Sequence, residues 1–359
     1  MRLASVEVIP YALPFKRPYV TARGTLTRRE MVLLRLRTDD GLIGLGEAVP
    51  LSLRGGATIE QVVRELRETD ESEALHALIE SGHLDHCSAK AVDRRLTLSL
   101  PSQCAVLGAL DDLRAQVGED RNVQTEIQCN ATLVAGEPAA VAADALAWAD
   151  AGFTAFKLKL GSGADFEQVR AVRAAVGPEA KIRVDANAVW SPQSAARILR
   201  ELEPLDIELV EQPVATMEEA AALSRLTSIP LCGDESIVSR ADAIRAVELD
   251  AFQVTGIKLS KVGGQFAGFE IAATMPAYVS SALDGPIGIS AGAALAAAVD
   301  TENLDLGRPV RAHGLATQRL FAATIASVEC ELRNGVLHRP PGPGLGIEID
   351  EDALDAHRL

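Results

Sequence analysis

Residues 155–161 read AFKLKLG, and the direction in which the two lysine side chains of this stretch point decides the fold. Phe156, Leu158 and Leu160 alternate with Lys157 and Lys159, and side chains on a strand point to opposite faces with period two. The pattern therefore predicts a strand with one apolar face and one lysine face. In isolation such a strand is typical of a solvated sheet edge, so the neighbouring sequence has to show where the lysines point.

Similar strand-like segments recur after about residue 121 and alternate with Ala-rich helical segments. The polar residues that end them are 23 to 26 positions apart, namely Lys159, Asp185, Glu211, Asp234, Lys258 and Ser281. Repeated strand–helix units build a parallel sheet, and eight units in about 200 residues match a closed (β/α) barrel. The first predicted strand is TEIQCNAT and the eighth, a weak one, is ENLDLG. The alternative is a doubly wound open sheet, but no GxGxxG turn follows an early strand.

Three parts are predicted along the chain. Residues 1–120 form a small α+β domain, with a hairpin at Asp40-Gly41 and a helix beginning near Ile59. Residues 121–320 form the barrel. Residues 321–359 are a tail in which GVLHRPPGPGLGIEID is expected to return as a hairpin against the first domain.

Composition limits the function classes. The formal net charge of −15 disfavours a nucleic-acid partner, which needs a basic surface. Five scattered cysteines without a CxxC pair indicate neither a disulfide framework nor a thiolate zinc site. The N-terminus lacks a signal-peptide apolar region and no apolar run reaches about 18 residues, so no membrane contact and a cytoplasmic location are expected. A homo-oligomer is compatible with the sequence.

Three acids end three consecutive predicted strands: Asp185, Glu211 and Asp234. Each alone would be an ordinary loop-start residue or helix cap. At barrel spacing they would crowd together, and buried carboxylates repel unless a cation joins them. Oxygen ligands suit a hard divalent ion such as Mg²⁺, and the absence of histidine in this register disfavours zinc.

The positions of the three acids indicate which way the lysine side chains point. Both faces of a strand in a closed barrel are covered, so Lys157 and Lys159 are expected to point inward beside the acids, with Lys258 on the other side. A partly desolvated lysine near another cation is expected to have a lowered pKa and to act as a base. The arrangement predicts proton abstraction next to a carboxylate, with one lysine on each side of the substrate.

The motifs KLK, VDAN, VEQP, GDES and IKLSKVGG, in that order, resemble the enolase superfamily in its muconate-lactonizing subgroup, over nearly the whole chain. The resemblance implies an α/β fold: a (β/α)7β-type barrel with an N-terminal α+β capping domain that the C-terminal tail completes.

The resemblance also implies roles for the site residues. Lys159 is the acid/base, Lys157 is its neighbour and Lys258 is the opposing lysine. The implied ligands of Mg²⁺, for which Mn²⁺ could substitute, are Asp185, Glu211 and Asp234. The implied supporting groups that hold these ligands are Asn187 and Glu235.

Other segments, among them CNAT, VEQPVATMEEAAAL and HGLATQRLF, look like o-succinylbenzoate synthases. This likeness implies a carbon–oxygen lyase of menaquinone biosynthesis that dehydrates a small carboxylate substrate through an enediolate. The stretch from Tyr19 to Thr27 is expected to close over the site. The expected substrate-binding residues are Arg23, Asn130, Ser280 and Ser281.

Two alternatives stay open on this scaffold. The first is an isomerase, either an N-succinylamino acid racemase or a dipeptide epimerase, and the site motifs suit a cycloisomerase equally well. A dipeptide epimerase is expected to carry a DxD-like element near the last strands, where this chain reads SSALDGP with a single acid. The second is a metal-stabilised binding protein without turnover, which would need neither Lys159 nor Lys258.

Overall fold

The first part of the chain is an antiparallel sheet with helices packed on it. A computed structural model describes residues 2–21, 24–52, 55–69, 72–81, 97–118, 125–160 and 164–359. The strands of this sheet are β1 Leu3–Thr21, β2 Gly24–Thr38 and β3 Ile43–Ala48. The helices described with it are α1 Ile59–Glu68, α2 Glu73–Ser81 and α3 Leu100–Val117.

The predicted hairpin at Asp40-Gly41 is confirmed. Strands β2 and β3 pair antiparallel, with Val32 opposite Ala48 and Arg37 opposite Ile43. Gly41 has φ +90°, a left-handed backbone that glycine adopts without steric cost. The tight turn fixes the register, so Val32, Leu34 and Leu36 of β2 face the helices and form a separate core with them, while Met31 and Leu33 on the other face join the main core.

Seven parallel strands form the second part and lie side by side in sequence order. They are β5 Ala131–Leu133, β6 Ala155–Lys159, β7 Lys181–Asp185, β8 Ile207–Glu211, β9 Leu231–Gly233, β10 Val254–Ile257 and β11 Ala277–Val279. The helices that connect and follow them are α4 Pro138–Asp150, α5 Asp165–Val176, α6 Pro192–Leu202, α7 Met217–Ser224, α8 Arg240–Leu249, α9 Leu259–Val262, α10 Gln265–Thr274 and α11 Pro286–Asp305. Short 3-10 turns cover Glu203–Leu205 and Ala316–Leu320.

The barrel closes at residues 313–314, and the predicted eighth strand ENLDLG is wrong. That segment forms the end of α11 and the turn after it, because the Ala-rich helix continues through Asp305. Closure comes instead from parallel bridges between Cys129 and His313 and between Ser280 and Gly314. The eighth position of the (β/α)7β barrel is therefore a two-residue contact, too short to leave a pattern in the sequence.

The C-terminal segment packs in two places. The segment GVLHRPPGPGLGIEID does contact the first domain, where the Leu345 N–H donates to Asp112 Oδ1 of α3 at 2.8 Å. Its two runs do not pair with each other as expected, because β14 Val336–His338 pairs with β13 Glu331–Arg333 and with β4 Glu126–Gln128. The reason is burial: Leu337 lies opposite Ile127, and both side chains are fully buried. The remaining pair is β12 Ala326–Val328 with β15 Glu348–Ile349.

The last residues do reach the first sheet. Helix α12 Glu351–His357 ends beside β1. There Arg358 forms an antiparallel β-bridge with Tyr11, and the Leu359 N–H donates to the Pro10 carbonyl oxygen at 3.0 Å. At the start of α12, Glu351 pairs with Arg35 of β2 at 2.7 Å. The tail therefore holds the first sheet against the barrel.

Two further observations concern the described residues only. Their cysteines at positions 104, 129, 232 and 330 are buried free thiols, and Cys87 lies outside the described ranges. None of the described helices is long and apolar enough to cross a membrane.

Candidate active site

Strand register brings the key side chains to one end of the barrel. Lys159 of β6 lies opposite Asp185 of β7, and Asp185 lies opposite Glu211 of β8. Glu211 in turn lies opposite Cys232, and Asp234 follows two residues later at the end of β9. Because parallel strands end at the same edge, these residues share the C-terminal mouth of the barrel, where barrel enzymes carry their chemistry.

Both lysines of AFKLKLG point into the barrel. Lys157 and Lys159 are only 3% and 7% exposed, while the apolar residues between them pack in the main core. Lys159 Nζ lies 2.6 Å from Asp185 Oδ2. Lys157 Nζ lies 3.0 Å from the same oxygen and 2.5 Å from Glu211 Oε2. The lysine face is thus an ion-paired interior rather than a solvated edge.

A second pair of lysines faces them. Lys258 Nζ lies 2.5 Å from Asp234 Oδ2 and 3.6 Å from Glu211 Oε1. Lys261 Nζ lies 2.8 Å from Asp234 Oδ1 and also donates to the Gly256 carbonyl oxygen at 3.0 Å. The sequence reasoning missed Lys261, although the three-residue spacing in IKLSKVGG could have indicated it, since one turn of α9 brings both lysines to the same side.

The charges at this site fix its protonation. Burial lowers the pKa of Lys159 and is the largest single effect, but Asp185 together with the smaller effects of Tyr19 and Glu211 outweighs it, and the pKa lies above its usual value. The pKa of Lys157 is raised in the same way by Asp185 and Glu211. The ion pairs therefore raise the pKa of both lysines, and the lowered pKa expected for a lysine beside a metal cation stays a prediction. Burial opposes ionisation of Asp185, but Lys157 and Lys159 hold the pKa of its carboxyl well below the usual range.

The three acids provide the type of ligand atom that a divalent cation binds. As placed, no three described His, Cys, Asp or Glu side chains gather closely enough to hold a metal ion, because lysine ammonium groups bridge neighbouring acids. Asp185, Glu211 and Asp234 are nevertheless fully buried, and Glu211 Oε1 has no hydrogen-bond partner. A buried oxygen without a partner is costly, and carboxylate oxygens are the ligands that Mg²⁺ prefers. The donor set therefore suits Mg²⁺.

The predicted supporting residues contact this network. Lys159 Nζ donates to Asn187 Oδ1 at 3.3 Å, and the Asn187 N–H donates to Asp185 Oδ1 at 3.0 Å. The Asn187 amide also donates to Glu235 Oε1 at 3.4 Å. Asn187 has φ +48°, a backbone region that asparagine tolerates better than most residues. Gln212, which the sequence reasoning did not single out, accepts from the Asp234 N–H at 2.9 Å.

Tyr278 is a further residue that the sequence reasoning missed. Its hydroxyl donates to Glu211 Oε2 at 2.6 Å from the inward face of β11. Burial, together with nearby Cys232 and Glu211, raises the pKa of Tyr278 well above its usual value, so the phenol keeps its proton. Nothing in the apolar run AYV distinguishes an inward tyrosine from an ordinary core residue.

A cavity of about 260 Å³ lies over these groups, between the barrel and the first domain. The first domain contributes Tyr19, Leu26, Arg29, Pro50, Leu51 and Gly56 to its lining. Among the described lining residues the cations are Arg29, Lys157, Lys159, Lys258 and Lys261, and the one carboxylate is Glu235. The four lysines also pair with the buried acids Asp185, Glu211 and Asp234, so the groups around the cavity carry only a small excess of positive charge, which suits a small anion.

The predicted substrate-binding residues divide into three groups. Ser280 and Ser281 line the cavity. Asn130 does not: it is fully buried, accepts from Arg183 at 3.3 Å and donates to the Ala131 carbonyl oxygen at 3.0 Å. The error is one of depth, since Thr132, two residues further along the strand, does line the cavity. Arg23 lies outside the described residues.

The stretch expected to close over the site is described only in part. Tyr19 of β1 and Leu26 of β2 pair with each other across the hairpin, and both line the cavity. In the described residues the hairpin therefore forms one wall of the cavity, with strand pairing that continues to Thr21 and Gly24. Closure of this wall on substrate stays a prediction.

Fold and site together define a class: a barrel protein whose cap and inward lysines and acids enclose a small cationic cavity. Residues 140–353 match the family model described as Enolase C-terminal domain-like. Residues 4–121 match the model described as Mandelate racemase / muconate lactonizing enzyme, N-terminal domain. The chain belongs to this mandelate racemase and muconate lactonizing enzyme family of the enolase superfamily, which confirms the resemblance seen in the motifs.

Individual relatives carry different activities. An o-succinylbenzoate synthase of Thermobifida fusca is 34% identical over 261 residues, 71% of this chain and 78% of the relative. Muconate cycloisomerase 1 of Acinetobacter baylyi is 28% identical over 99% of both chains. A muconate lactonizing enzyme of Pseudomonas fluorescens, solved with muconolactone, superposes with a TM-score of 0.88 at 26% identity, covering 100% of this chain and 99% of its own.

A dipeptide epimerase of Enterococcus faecalis, solved with Mg and the dipeptide L-Leu-L-Tyr, superposes with a TM-score of 0.84 at 26% identity, covering 97% of this chain and 100% of its own. Lyase-type and epimerase-type relatives therefore share this fold.

Proposed function

We propose that this protein is an o-succinylbenzoate synthase, a Mg²⁺-dependent lyase of menaquinone biosynthesis that removes water from a succinyl-hydroxycyclohexadiene carboxylate. The charge of the cavity carries the proposal. Five cationic side chains face Glu235 in the described lining and the three buried acids below it, an excess of one positive charge that a bound divalent cation would raise to three. The proposed substrate has two carboxylates, one on the ring and one on the succinyl arm, so it matches this excess of positive charge.

The same charge argues against a dipeptide substrate, whose ammonium group needs an acid. Asp284, the single acid of SSALDGP, is not among the residues that line the cavity. Its Oδ2 accepts from the Ala282 N–H at 2.8 Å, and its side chain is buried. The closing segment HGLAT also has no acid. Among the described lining residues a dipeptide ammonium would thus find one carboxylate, Glu235, which already accepts from the Asn187 amide at 3.4 Å.

The chain's own residues can carry out the chemistry. Lys159, as the free amine, takes the proton from the carbon next to the ring carboxylate. The electron pair of that C–H bond forms the new ring double bond, and the C–O bond of the neighbouring hydroxyl breaks with its pair on oxygen. Lys159 returns the proton to that oxygen, so water leaves and the ring becomes aromatic.

Lys258 stays protonated on the opposite side and stabilises the negative charge that develops. The residues that would hold Mg²⁺ are Asp185, Glu211 and Asp234. Bound there, Mg²⁺ would supply positive charge that attracts the substrate carboxylate and offsets the effect of Asp185 on the pKa of Lys159.

A second candidate is an N-succinylamino acid racemase, because that substrate is also a dicarboxylate. The observation that favours it is the presence of Lys159 and Lys258 together in the lining of the cavity. A racemase needs a base on each face of the α-carbon, whereas a syn dehydration needs one. The lining supports both reactions, and the 34% identical synthase favours the lyase.

Metal removal tests the proposal. The purified protein should convert the cyclohexadiene substrate to o-succinylbenzoate, followed by ultraviolet absorbance of the aromatic product. Excess EDTA should abolish the reaction, and added Mg²⁺ or Mn²⁺ should restore it. Without the cation, the buried carboxylates stay paired with the lysines and keep them protonated. Full activity in excess EDTA would contradict the metal assignment.

A further inference from the structure

A buried tyrosine and arginine lie inside the barrel directly beneath the site. Tyr278 is fully buried and Arg183 is 1% exposed. The Arg183 guanidinium lies 4.6 Å from the centre of the Tyr278 ring, a cation–π distance. Barrel interiors are ordinarily filled by branched aliphatic side chains, so a buried charge at this depth needs a reason.

Arg183 is held firmly in this place. Its Nε donates to Glu208 Oε2 at 2.6 Å, and its Nη1 donates to the Ala312 carbonyl oxygen at 2.6 Å. Gly256 on the neighbouring strand leaves room for the phenol, since a Cβ there would lie 3.3 Å from the Tyr278 hydroxyl oxygen. The guanidinium therefore holds the tyrosine ring from below, and the missing side chain of Gly256 leaves room for the phenol.

The Tyr278 hydroxyl binds one oxygen of Glu211 and leaves the other oxygen directed toward Lys258, which pairs with Asp234. Glu211 Oε2 accepts from both Tyr278 at 2.6 Å and Lys157 at 2.5 Å. Glu211 Oε1 is buried, has no hydrogen-bond partner and lies on the side of Lys258. Two donors on one oxygen thus prevent the carboxylate from turning and keep the other oxygen available.

We propose that Tyr278, steadied by Arg183, is a positioning residue that orients Glu211 for cation binding. The inference rests on the proposed function only through its metal site. It assigns to the barrel interior a task beyond packing: the phenol holds Oε2 so that Oε1 is presented as a ligand atom. Groups that orient metal ligands typically contribute about 10- to 100-fold to metal affinity.

The test is calorimetric titration of the metal-free protein with Mg²⁺, comparing wild type, Tyr278→Phe and Tyr11→Phe. Tyr11 is the matched control, because its buried hydroxyl donates to the Glu47 carboxylate at the same 2.6 Å but away from the site. Both variants should lower Tm. Only Tyr278→Phe should weaken Mg²⁺ binding, by about 10-fold or more. The phenyl ring keeps the contact with Arg183, so a structural role alone would not move the affinity.

Unchanged Mg²⁺ affinity in Tyr278→Phe, or an equal loss in Tyr11→Phe, overturns the proposal. Should Tyr278→Phe fail to fold, Arg183→Lys takes its place: it keeps the charge and the hydroxyl but removes the planar group beneath the ring. It should also weaken Mg²⁺ binding, by a smaller factor, and unchanged affinity there would equally overturn the proposal. If wild type itself binds no Mg²⁺, the metal assignment behind the proposed function fails first.

Discussion

At the scale of single residues, Lys159 and Lys258 belong to opposite halves of one ion-pair network. Lys159 pairs with Asp185, Lys258 pairs with Asp234, and Glu211 lies between them. The two lysines are therefore chemically alike but differ in position. Which of them handles the substrate proton distinguishes a dehydration from a racemisation.

Lys159→Ala should lower the rate of dehydration by about 10² to 10⁴ or more, because it removes the proposed acid/base. Mg²⁺ binding, followed by calorimetry, should persist because the three acids are unchanged. Lys181→Ala is a matched control, since Lys181 is an exposed lysine at the start of the adjacent strand β7. Near-normal dehydration by Lys159→Ala would show that the base is assigned wrongly.

Lys258→Arg should retain measurable dehydration and lose racemisation of N-succinylamino acids. Arginine keeps the positive charge that the dehydration needs, but its guanidinium stays protonated and cannot serve as the second base. The measurement is the initial rate on both substrates with the same enzyme preparation. A loss of dehydration as large as that of Lys159→Ala would give Lys258 a direct part in proton transfer.

At the scale of elements, strand β3 joins the cap to the barrel through a buried carboxylate. Glu47 Oε2 accepts from the Tyr11 hydroxyl, and Oε1 accepts from the Gly285 N–H at 2.7 Å, next to the start of α11. A Cβ at Gly285 or Gly288 would lie 2.6 Å from a Glu47 oxygen, so these two glycines make room for the carboxylate. The same strand also bonds to α9, where the Val49 N–H donates to Ser260 Oγ at 3.2 Å.

This contact predicts a pH dependence of stability. Burial and nearby Asp284 raise the pKa of Glu47 from 4.5 to about 8. An acid whose pKa is raised by folding binds its proton more tightly in the folded protein, so stability from this group falls as pH rises from about 4.5 to about 8. The other titratable groups that interact with Glu47 or Asp284 are Tyr11, Cys104 and Arg29.

Glu47→Gln should remove this slope. The free energy of unfolding in urea, measured between pH 5 and pH 9, should fall more steeply with pH in wild type than in the variant. The difference between the two curves reports Glu47 together with its coupling to Asp284, because the rest of the chain titrates in both proteins. Parallel curves would show that Glu47 is ionised across this range and that its pKa is not raised.

At the scale of the whole molecule, the sequence pattern was sufficient wherever a residue type repeated at a fixed spacing. The period-two lysines of β6 and the 23- to 26-residue spacing of the strand ends predicted the barrel and brought Lys159, Asp185, Glu211 and Asp234 to one mouth. The period of two comes from the pleat of a single strand, and the even spacing of the strand ends comes from repeated strand–helix units of similar length.

Features without a period could not be predicted. Residues 313–314 close the barrel with two bridges, which leave no strand-like run. The sequence also does not show how deep in the barrel a strand residue lies. Asn130 was therefore predicted to line the cavity, although it lies below it, beside Arg183. Arg29 reaches the site from another domain, and Tyr278 resembles an ordinary core residue in its local sequence.

The central claim is that the cationic cavity selects a dicarboxylate and that Lys159 dehydrates it. The most direct measurement compares kcat/KM for three substrates in D₂O with one preparation: the cyclohexadiene substrate, an N-succinylamino acid and an unmodified dipeptide. Product absorbance would follow dehydration, and mass spectrometry would follow deuterium at the α-carbon. Fast dehydration, slower α-deuteration of the N-succinylamino acid and none of the dipeptide are the predicted results. Absence of dehydration with fast α-deuteration of either amino-acid derivative would contradict the account and make the protein an isomerase.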